Sequence, residues 1–200
     1  PLPEESIEAA VAVMRHGRLH RYNLSDGEKG ETALLEEEFA AFTGAKYCLA
    51  VASGGYALAA ALRAAGVQAG EVVLTNAFTL APVPGAIANA GGTPVFVEVT
   101  DDLVMDLDDL KAKIAQTNAR YLMLSHMRGH IVDMDALMQI CDRAGVKVVE
   151  DLAAVTDQFE PGSVFKVVTA SIALGTGTVR PQARHAGAYQ GGESPSRDRR

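Results

Sequence analysis

A serine followed by two glycines is the first place in this sequence where residue types and spacing suggest chemistry. Ser53, Gly54 and Gly55 lie between an apolar run at 46–52, predicted as a strand, and a helix-forming run at 56–65. Glycines at such a turn let backbone N–H groups approach an anion, and the helix dipole favours negative charge. The turn is a candidate phosphate site. An equally supported alternative is that the glycines serve only the backbone angles of a tight turn.

A second candidate is the acidic pair Glu150 and Asp151, which ends an apolar run that begins at Lys147. A carboxylate at the end of a buried strand is costly unless it is paired. Asp151 could neutralise a cationic ligand nitrogen, for example that of a protonated pyridine ring, which then serves as an electron sink. The alternative is a structural acid that caps a helix or pairs with an arginine.

The segment 76–80 follows another predicted strand and could form a wall against a flat ring, although a hydrophobic staple for the next helix explains it equally well. A metal site is not expected. His126 and His130 have the spacing of a helical metal pair, but Gly129 lies between them at a predicted strand end. Acidic residues within 101–109 lack the EF-hand pattern and are assigned to turns and a helix start.

Predicted strands alternate with predicted helices along most of the chain. The strands are expected at 46–52, 71–76, 93–99, 121–125 and 147–151, and the helices at 4–15, 31–42, 56–65, 81–90, 107–114 and 133–144. Asp106 is placed to cap one of these helices. The alternation predicts a three-layer α/β/α fold with a mainly parallel sheet. Ligands bind beyond the carboxyl ends of such strands, where all three candidate segments fall.

Composition excludes several classes of protein. The net charge of −7 over 200 residues argues against a nucleic-acid partner, which would need a basic face. Cys48 and Cys141 lie in apolar runs and are predicted to be free thiols in a reducing compartment. No stretch has the length and apolarity of a membrane span, and the first residues lack the pattern of a secretion signal, so a cytoplasmic location is expected.

Residues from about 3 to 151 resemble the DegT/DnrJ/EryC1/StrS family of sugar aminotransferases that depend on pyridoxal 5'-phosphate (PLP). The matching stretches, in chain order, are 39–47, 51–58, 76–79, 92–97, 125–129, 133–135 and 149–151. The resemblance implies a truncated large domain of fold type I, which is the aspartate aminotransferase-like fold. It also implies PLP as cofactor, a homodimer, and amino transfer from glutamate to a nucleotide-linked keto sugar, for cell-surface polysaccharides or antibiotic sugars.

The same resemblance assigns roles to individual residues. Ser53, Gly54 and Gly55 match the turn that cradles the cofactor phosphate, and Gly55 replaces a threonine that is common in the family. Leu80 matches the residue that stacks on the ring. Asp151 matches the partner of the pyridine nitrogen.

Two departures follow Asp151. Ala154 replaces a family histidine or glutamine beside the ring. The family places its Schiff-base lysine roughly thirty residues beyond the aspartate, where this sequence has Arg180, whose guanidinium stays protonated and cannot take that role. Lys166 is at the wrong spacing. We therefore expect no catalytic residue in this chain and no activity from the chain alone.

The stretch at about 154–176 resembles the active-site segment of penicillin-binding transpeptidases, with Ser163 and Lys166 as its S-x-x-K pair. The S-x-N and K-T-G partners of that site are absent from the sequence. The predicted organisation is an aminotransferase part at 1–153, a foreign helical segment at 154–179 and a disordered tail at 180–200. Alternative functions are a non-catalytic α/β fragment or fusion product, with penicillin binding through Ser163 as a remote third.

Overall fold

The computed structural model describes residues 2–22 and 24–151. The elements in chain order are α1 (Glu4–His16), α2 (Glu31–Thr43), α3 (Gly54–Ala65), β1 (Val72–Asn76), α4 (Pro82–Asn89), β2 (Thr93–Val97), α5 (Leu107–Thr117), β3 (Tyr121–Ser125), a 3-10 turn (Met127–Gly129), α6 (Met134–Ala144) and β4 (Lys147–Asp151). The segments predicted as a foreign helix and a disordered tail lie outside the described residues.

The four strands form one parallel sheet in the order β2-β1-β3-β4. The last two strands pair in a register that sets Tyr121 opposite Lys147 and Ser125 opposite Asp151. Each pair of successive strands is joined through a helix, as expected for parallel neighbours. The predicted parallel sheet is therefore confirmed.

Helices cover both faces of this sheet. On one face, α3 and α4 pack in a cluster with Val73, Met123 and Val149. On the other face, α5 and α6 pack in a second cluster that includes Leu74 and Leu122. Successive side chains of a strand point to opposite faces, and helices cover both faces of this sheet. The central strands therefore carry apolar side chains on both faces. The result is the predicted three-layer α/β/α architecture.

Side-chain caps start α5 and α6 close to where the sequence placed them. The Asp106 carboxylate accepts hydrogen bonds from the N–H groups of Asp108 and Asp109, and the Asp133 carboxylate accepts one from Ala136. These bonds satisfy donors that have no partner inside the helix. The predicted cap at Asp106 is confirmed, and the acidic run around it has the structural role expected of it.

The first predicted strand, at 46–52, does not form. Its backbone pairs with side chains instead: the Ala50 N–H donates to Glu36 Oε1 at 2.7 Å, and Arg21 Nη2 donates to the Ala50 carbonyl at 2.9 Å. An apolar, strand-like composition becomes a strand only where a neighbouring strand offers a hydrogen-bonding edge. Residues 46–52 pair with neither edge strand of the described sheet, β2 or β4, so the sheet contains four strands where five were predicted.

Two further features of the chain are its cysteines and the apolarity of its helices. Cys48 and Cys141 are free thiols, as predicted, and burial raises the pKa of the Cys141 thiol to about 12. Within residues 2–22 and 24–151, no helix combines the length and the apolarity needed to cross a membrane.

Replacing a core leucine tests this architecture. Leu62 of α3 is fully buried, and we expect Leu62→Ala to lower the free energy of unfolding by about 2 to 5 kcal/mol, because it removes apolar contacts and leaves a cavity. The matched variant Leu19→Ala, at a side chain that is 63% exposed, should change it by less than about 0.5 kcal/mol. Urea unfolding followed by circular dichroism measures both. Equal losses would contradict the placement of α3 against the sheet.

Candidate functional site

The direction of α3 across the sheet decides where its first turn lies. Lys147, the first residue of β4, donates from Nζ to the carbonyl of Ala65, the last residue of α3, at 3.1 Å. At its other end, Gly55 of α3 lies beside Pro82, which follows the carboxyl end of β1, so α3 and β4 run in opposite directions. A helix of 12 residues and a strand of 5 residues both extend about 17 Å. The start of α3 thus lies at the same edge of the sheet as Asp151, the last residue of β4.

Ser53 is the N-cap of α3. Its backbone is extended, its Oγ accepts a hydrogen bond from the Tyr56 N–H at 3.2 Å, and its carbonyl accepts one from Ala57 at 3.0 Å. Within the described residues, the N–H groups of Gly54 and Gly55 have no acceptor. Two donors at the positive end of a helix form an arrangement that binds phosphate and similar anions.

The backbone angles of the two glycines test the alternative interpretation, in which glycine is needed here only for the conformation of a tight turn. Neither Gly54 nor Gly55 has a positive φ, so a side chain at either position would not be strained by its backbone angles. A Cβ built on Gly55 would meet only the Pro82 Cβ, at 3.9 Å, which is an ordinary contact. The backbone conformation at position 55 therefore does not require glycine, and an added Cβ there would meet only an ordinary contact.

Asp151 lies on the same face of the sheet as α3. Side chains alternate along β4, so Asp151 shares the face of Val149, which packs in the cluster with α3. Its Oδ2 accepts a hydrogen bond from the Ser125 hydroxyl at 3.2 Å, and its carbonyl accepts one from the His126 N–H at 3.0 Å. A partly buried carboxylate in this position is suited to pair with a cation held above the sheet edge.

Leu80 lies between the end of β1 and the start of α4, also at the carboxyl edge. Its side chain is 48% exposed, which leaves apolar surface available to a flat ring and does not fit a buried staple. The neighbouring Thr79 hydroxyl is buried and has no hydrogen-bond partner among the described residues. The position and exposure of Leu80 are compatible with the predicted wall, which stays a prediction.

Asn76 lies in the segment predicted as a wall and Ser125 in a stretch that matches the family, but neither residue was given a role of its own from the sequence. The Asn76 amide donates to the carbonyls of Phe78 and Ser125 at 2.7 and 3.0 Å, and its Oδ1 accepts from the Ser125 N–H at 2.9 Å. Asn76 and Ser125 are both buried. The signal that could have found them is a polar residue at the carboxyl end of each of two neighbouring buried strands.

The two histidines that were rejected as a metal pair occupy different environments. His126 is buried, with Nε2 at 3.6 Å from Glu150 Oε2, whereas His130 is exposed and contacts the Asp102 carbonyl. Among residues 2–22 and 24–151, no three metal-ligating side chains come together.

The sequence has no lysine at the family's Schiff-base spacing, and the structure shows whether Lys147 could replace it. Lys147 lies at the amino edge of the sheet, at the opposite end of β4 from Asp151, so it cannot reach a ligand held there. Ala154, Lys166 and Arg180 lie outside the described residues. The described part of the chain thus brings three candidate groups to one edge of the sheet: the turn at Ser53, the exposed side chain of Leu80 and the carboxylate of Asp151.

A parallel α/β/α sheet with these groups at its carboxyl edge defines the large domain of a fold type I PLP-dependent transferase. DesV from S. venezuelae is 33% identical, with a TM-score of 0.62 over 75% of this chain and 39% of that chain. The 3-amino-5-hydroxybenzoic acid synthase is 30% identical, with a TM-score of 0.68 over 77% and 39%. The DesV structure is a complex with a ketimine intermediate, and the structure of NtdA from Bacillus subtilis, which shares the fold at 22% identity and a TM-score of 0.64, contains bound pyridoxamine phosphate. Taken together, these comparisons indicate PLP as the cofactor.

The profile of the DegT/DnrJ/EryC1/StrS aminotransferase family matches residues 2–158, and the chain belongs to this family. A transaminase for dTDP-3-amino-3,4,6-trideoxy-alpha-D-glucose from Micromonospora megalomicea is 39% identical over 60% of this chain and 32% of its own length. The spore coat polysaccharide biosynthesis protein SpsC of Bacillus subtilis is 37% identical over 65% and 33%. The chain spans about a third of the length of these relatives. A second profile, of the penicillin-binding protein transpeptidase domain, matches residues 138–195.

The cap at Ser53 yields a prediction that separates stability from ligand binding. We expect Ser53→Ala to lower the free energy of unfolding by about 1 kcal/mol, because the Tyr56 N–H loses its acceptor. Ser53→Asp keeps an acceptor and should stay within about 0.5 kcal/mol of the unsubstituted chain. Urea unfolding measures both variants. An equal loss in the aspartate variant would contradict the capping role.

Proposed function

We propose that this chain supplies the phosphate-binding turn and the acidic partner of a PLP-dependent aminotransferase that acts on nucleotide-linked keto sugars, with glutamate as amino donor. The observation that carries the proposal is the position of the Ser53 turn and Asp151 on one face and at one edge of the sheet. The substrate class is supported by relatives named for dTDP-linked and UDP-linked sugars, the latter from Pseudomonas aeruginosa at 34% identity over 75% of this chain.

Each residue has a distinct part in holding the cofactor. The N–H groups of Gly54 and Gly55, together with the Ser53 hydroxyl proton, would bind the phosphate at the positive end of α3. Leu80 would flank one face of the ring. Asp151 would pair with the protonated ring nitrogen, which gives the bound cofactor its capacity to take up electrons.

The proposal limits what this chain does alone. Cofactor binding through these groups is non-covalent, because the family's lysine has no counterpart at the matching spacing and Lys147 lies at the other end of the sheet. The chain would therefore bind PLP without completing amino transfer. A non-catalytic α/β fragment remains the contrasting proposal, and the binding experiment below separates the two.

A homodimer is supported by apolar surface on the N-terminal part of the chain. Neither α1 nor α2 has a buried residue, although both carry large apolar side chains. The exposed apolar residues of this part are Leu2, Ile7, Met14, Leu19, Tyr22, Leu34, Leu35, Phe42, Tyr47, Leu49 and Tyr56. So many exposed large apolar side chains in one part of a chain favour an association surface there. We place the protein in the cytoplasm, where the free thiols of Cys48 and Cys141 would stay reduced.

Cofactor binding can be tested with two substitutions at the turn. Ser53→Asp should abolish PLP binding, since it keeps the helix cap but adds a negative charge beside the phosphate. Gly55→Thr should tighten binding about threefold to tenfold, because it restores a hydroxyl donor in a space that accepts a side chain. Equilibrium dialysis with PLP measures both.

Pyridoxal, which lacks the phosphate, is the control ligand and should bind all three proteins equally weakly. Equal PLP binding by the Ser53→Asp variant would contradict the phosphate site. Borohydride reduction followed by mass spectrometry checks the non-covalent mode, and a phosphopyridoxyl group at Lys166 would overturn it.

The transpeptidase match favours a second candidate function, penicillin binding through Ser163. The first part of that match, residues 138–151, forms the end of α6 and all of β4, which belong to the aminotransferase sheet. The match therefore does not correspond to an independent domain. We expect a fluorescent penicillin to leave the chain unlabelled under conditions that label a penicillin-binding protein. A labelled band that disappears in Ser163→Ala would establish the second function.

A further inference from the structure

We infer that Ser125 is a positioning residue for Asp151, and that the Asn76 amide holds Ser125 in place for this role. The inference rests on the proposed function, because it concerns the carboxylate that would face the cofactor's ring nitrogen. Its basis is a continuous set of hydrogen bonds across the ends of three neighbouring strands.

The first step is the pair of hydrogen bonds between the Asn76 side chain and the Ser125 backbone. The backbones of β1 and β3 pair over three residues, beginning with Val73 opposite Tyr121 and ending with Thr75 opposite Met123. One residue further along β1, the Asn76 side chain contacts both backbone groups of Ser125: Oδ1 accepts from the N–H at 2.9 Å, and Nδ2 donates to the carbonyl at 3.0 Å. The amide thus extends the ladder beyond the backbone and fixes the end of β3.

The second step is the contact between Ser125 and Asp151. The two residues are direct partners in the β3–β4 register, so their side chains lie on the same face, which is the face covered by α3. The Ser125 hydroxyl donates to Asp151 Oδ2 at 3.2 Å. A hydroxyl that donates to a carboxylate stabilises its charge and restricts its rotation.

Thr75 in the same layer is a control for this contact, because β3 separates its strand from β4. Thr75 also lies at the carboxyl end of a strand and on the α3 face, and it is fully buried like Ser125. Its hydroxyl has no hydrogen-bond partner among the described residues. Burial of a hydroxyl at this edge therefore does not by itself produce a contact with Asp151, and Thr75 offers a matched control.

The test uses the full chain and PLP labelled with nitrogen-15 in its ring. The nitrogen-15 chemical shift reports the pH at which the bound cofactor loses its ring proton. We expect Ser125→Ala to lower this pH by about one unit, a tenfold change in the proton equilibrium, because the carboxylate is no longer held toward the ring. Ser125→Thr, which keeps the hydroxyl, should restore the original value. Thr75→Val should leave it unchanged.

The outcomes separate the inference from the proposed function. If the unsubstituted chain binds no PLP, the proposed function fails and the inference fails with it. If Asp151→Asn lowers the pH of ring deprotonation but Ser125→Ala does not, PLP binding stands and the positioning role is overturned. Circular dichroism checks the fold of each variant, and Ser125→Cys, which is close in size and a weak donor, replaces Ser125→Ala if the alanine variant does not fold.

Discussion

The structure depends on the attachment of α3 to β4 in opposite directions. The apolar side of α3, including Leu58 and Leu62, packs on the sheet together with Val149, and Lys147 binds the carbonyl at the helix end. Burial of these side chains supplies the main stabilisation, since apolar area removed from water contributes about 25 cal/mol per Å². The direction matters for the site, because it brings the positive end of the helix to the edge where β4 ends in a carboxylate.

At the carboxyl edge of the sheet, three polar side chains on neighbouring strands satisfy one another by hydrogen bonding. Asn76, Ser125 and Asp151 end three adjacent strands, and each contacts the next. A buried amide or hydroxyl without a partner would cost on the order of 1 to 3 kcal/mol. The contacts among these side chains offset that cost and also fix the orientation of the carboxylate. Stability and site geometry therefore come from the same bonds.

Most helices and strands could be predicted from local sequence, and the failures have physical reasons. Apolar periodicity and caps such as Asp106 placed α5 and α6 within a few residues. The segment at 46–52 has the composition of a strand but pairs with no strand of the described sheet, and strand pairing cannot be read from a local pattern. Similarly, the turn at Ser53 and the acid at Asp151 were predictable from their places at element ends. The contact between Ser125 and Asp151 was not, since it depends on strand register.

Ser53 shows how one side chain can stabilise a helix and still be available to a ligand. A hydroxyl has one proton to donate and two lone pairs that accept. The Tyr56 N–H uses one lone pair at 3.2 Å, which leaves the proton for an anion above the first turn. An aspartate would cap the helix equally well but has no proton to donate and repels the anion. A capping requirement alone would thus accept either residue, whereas the proposed phosphate at the start of α3 would favour serine.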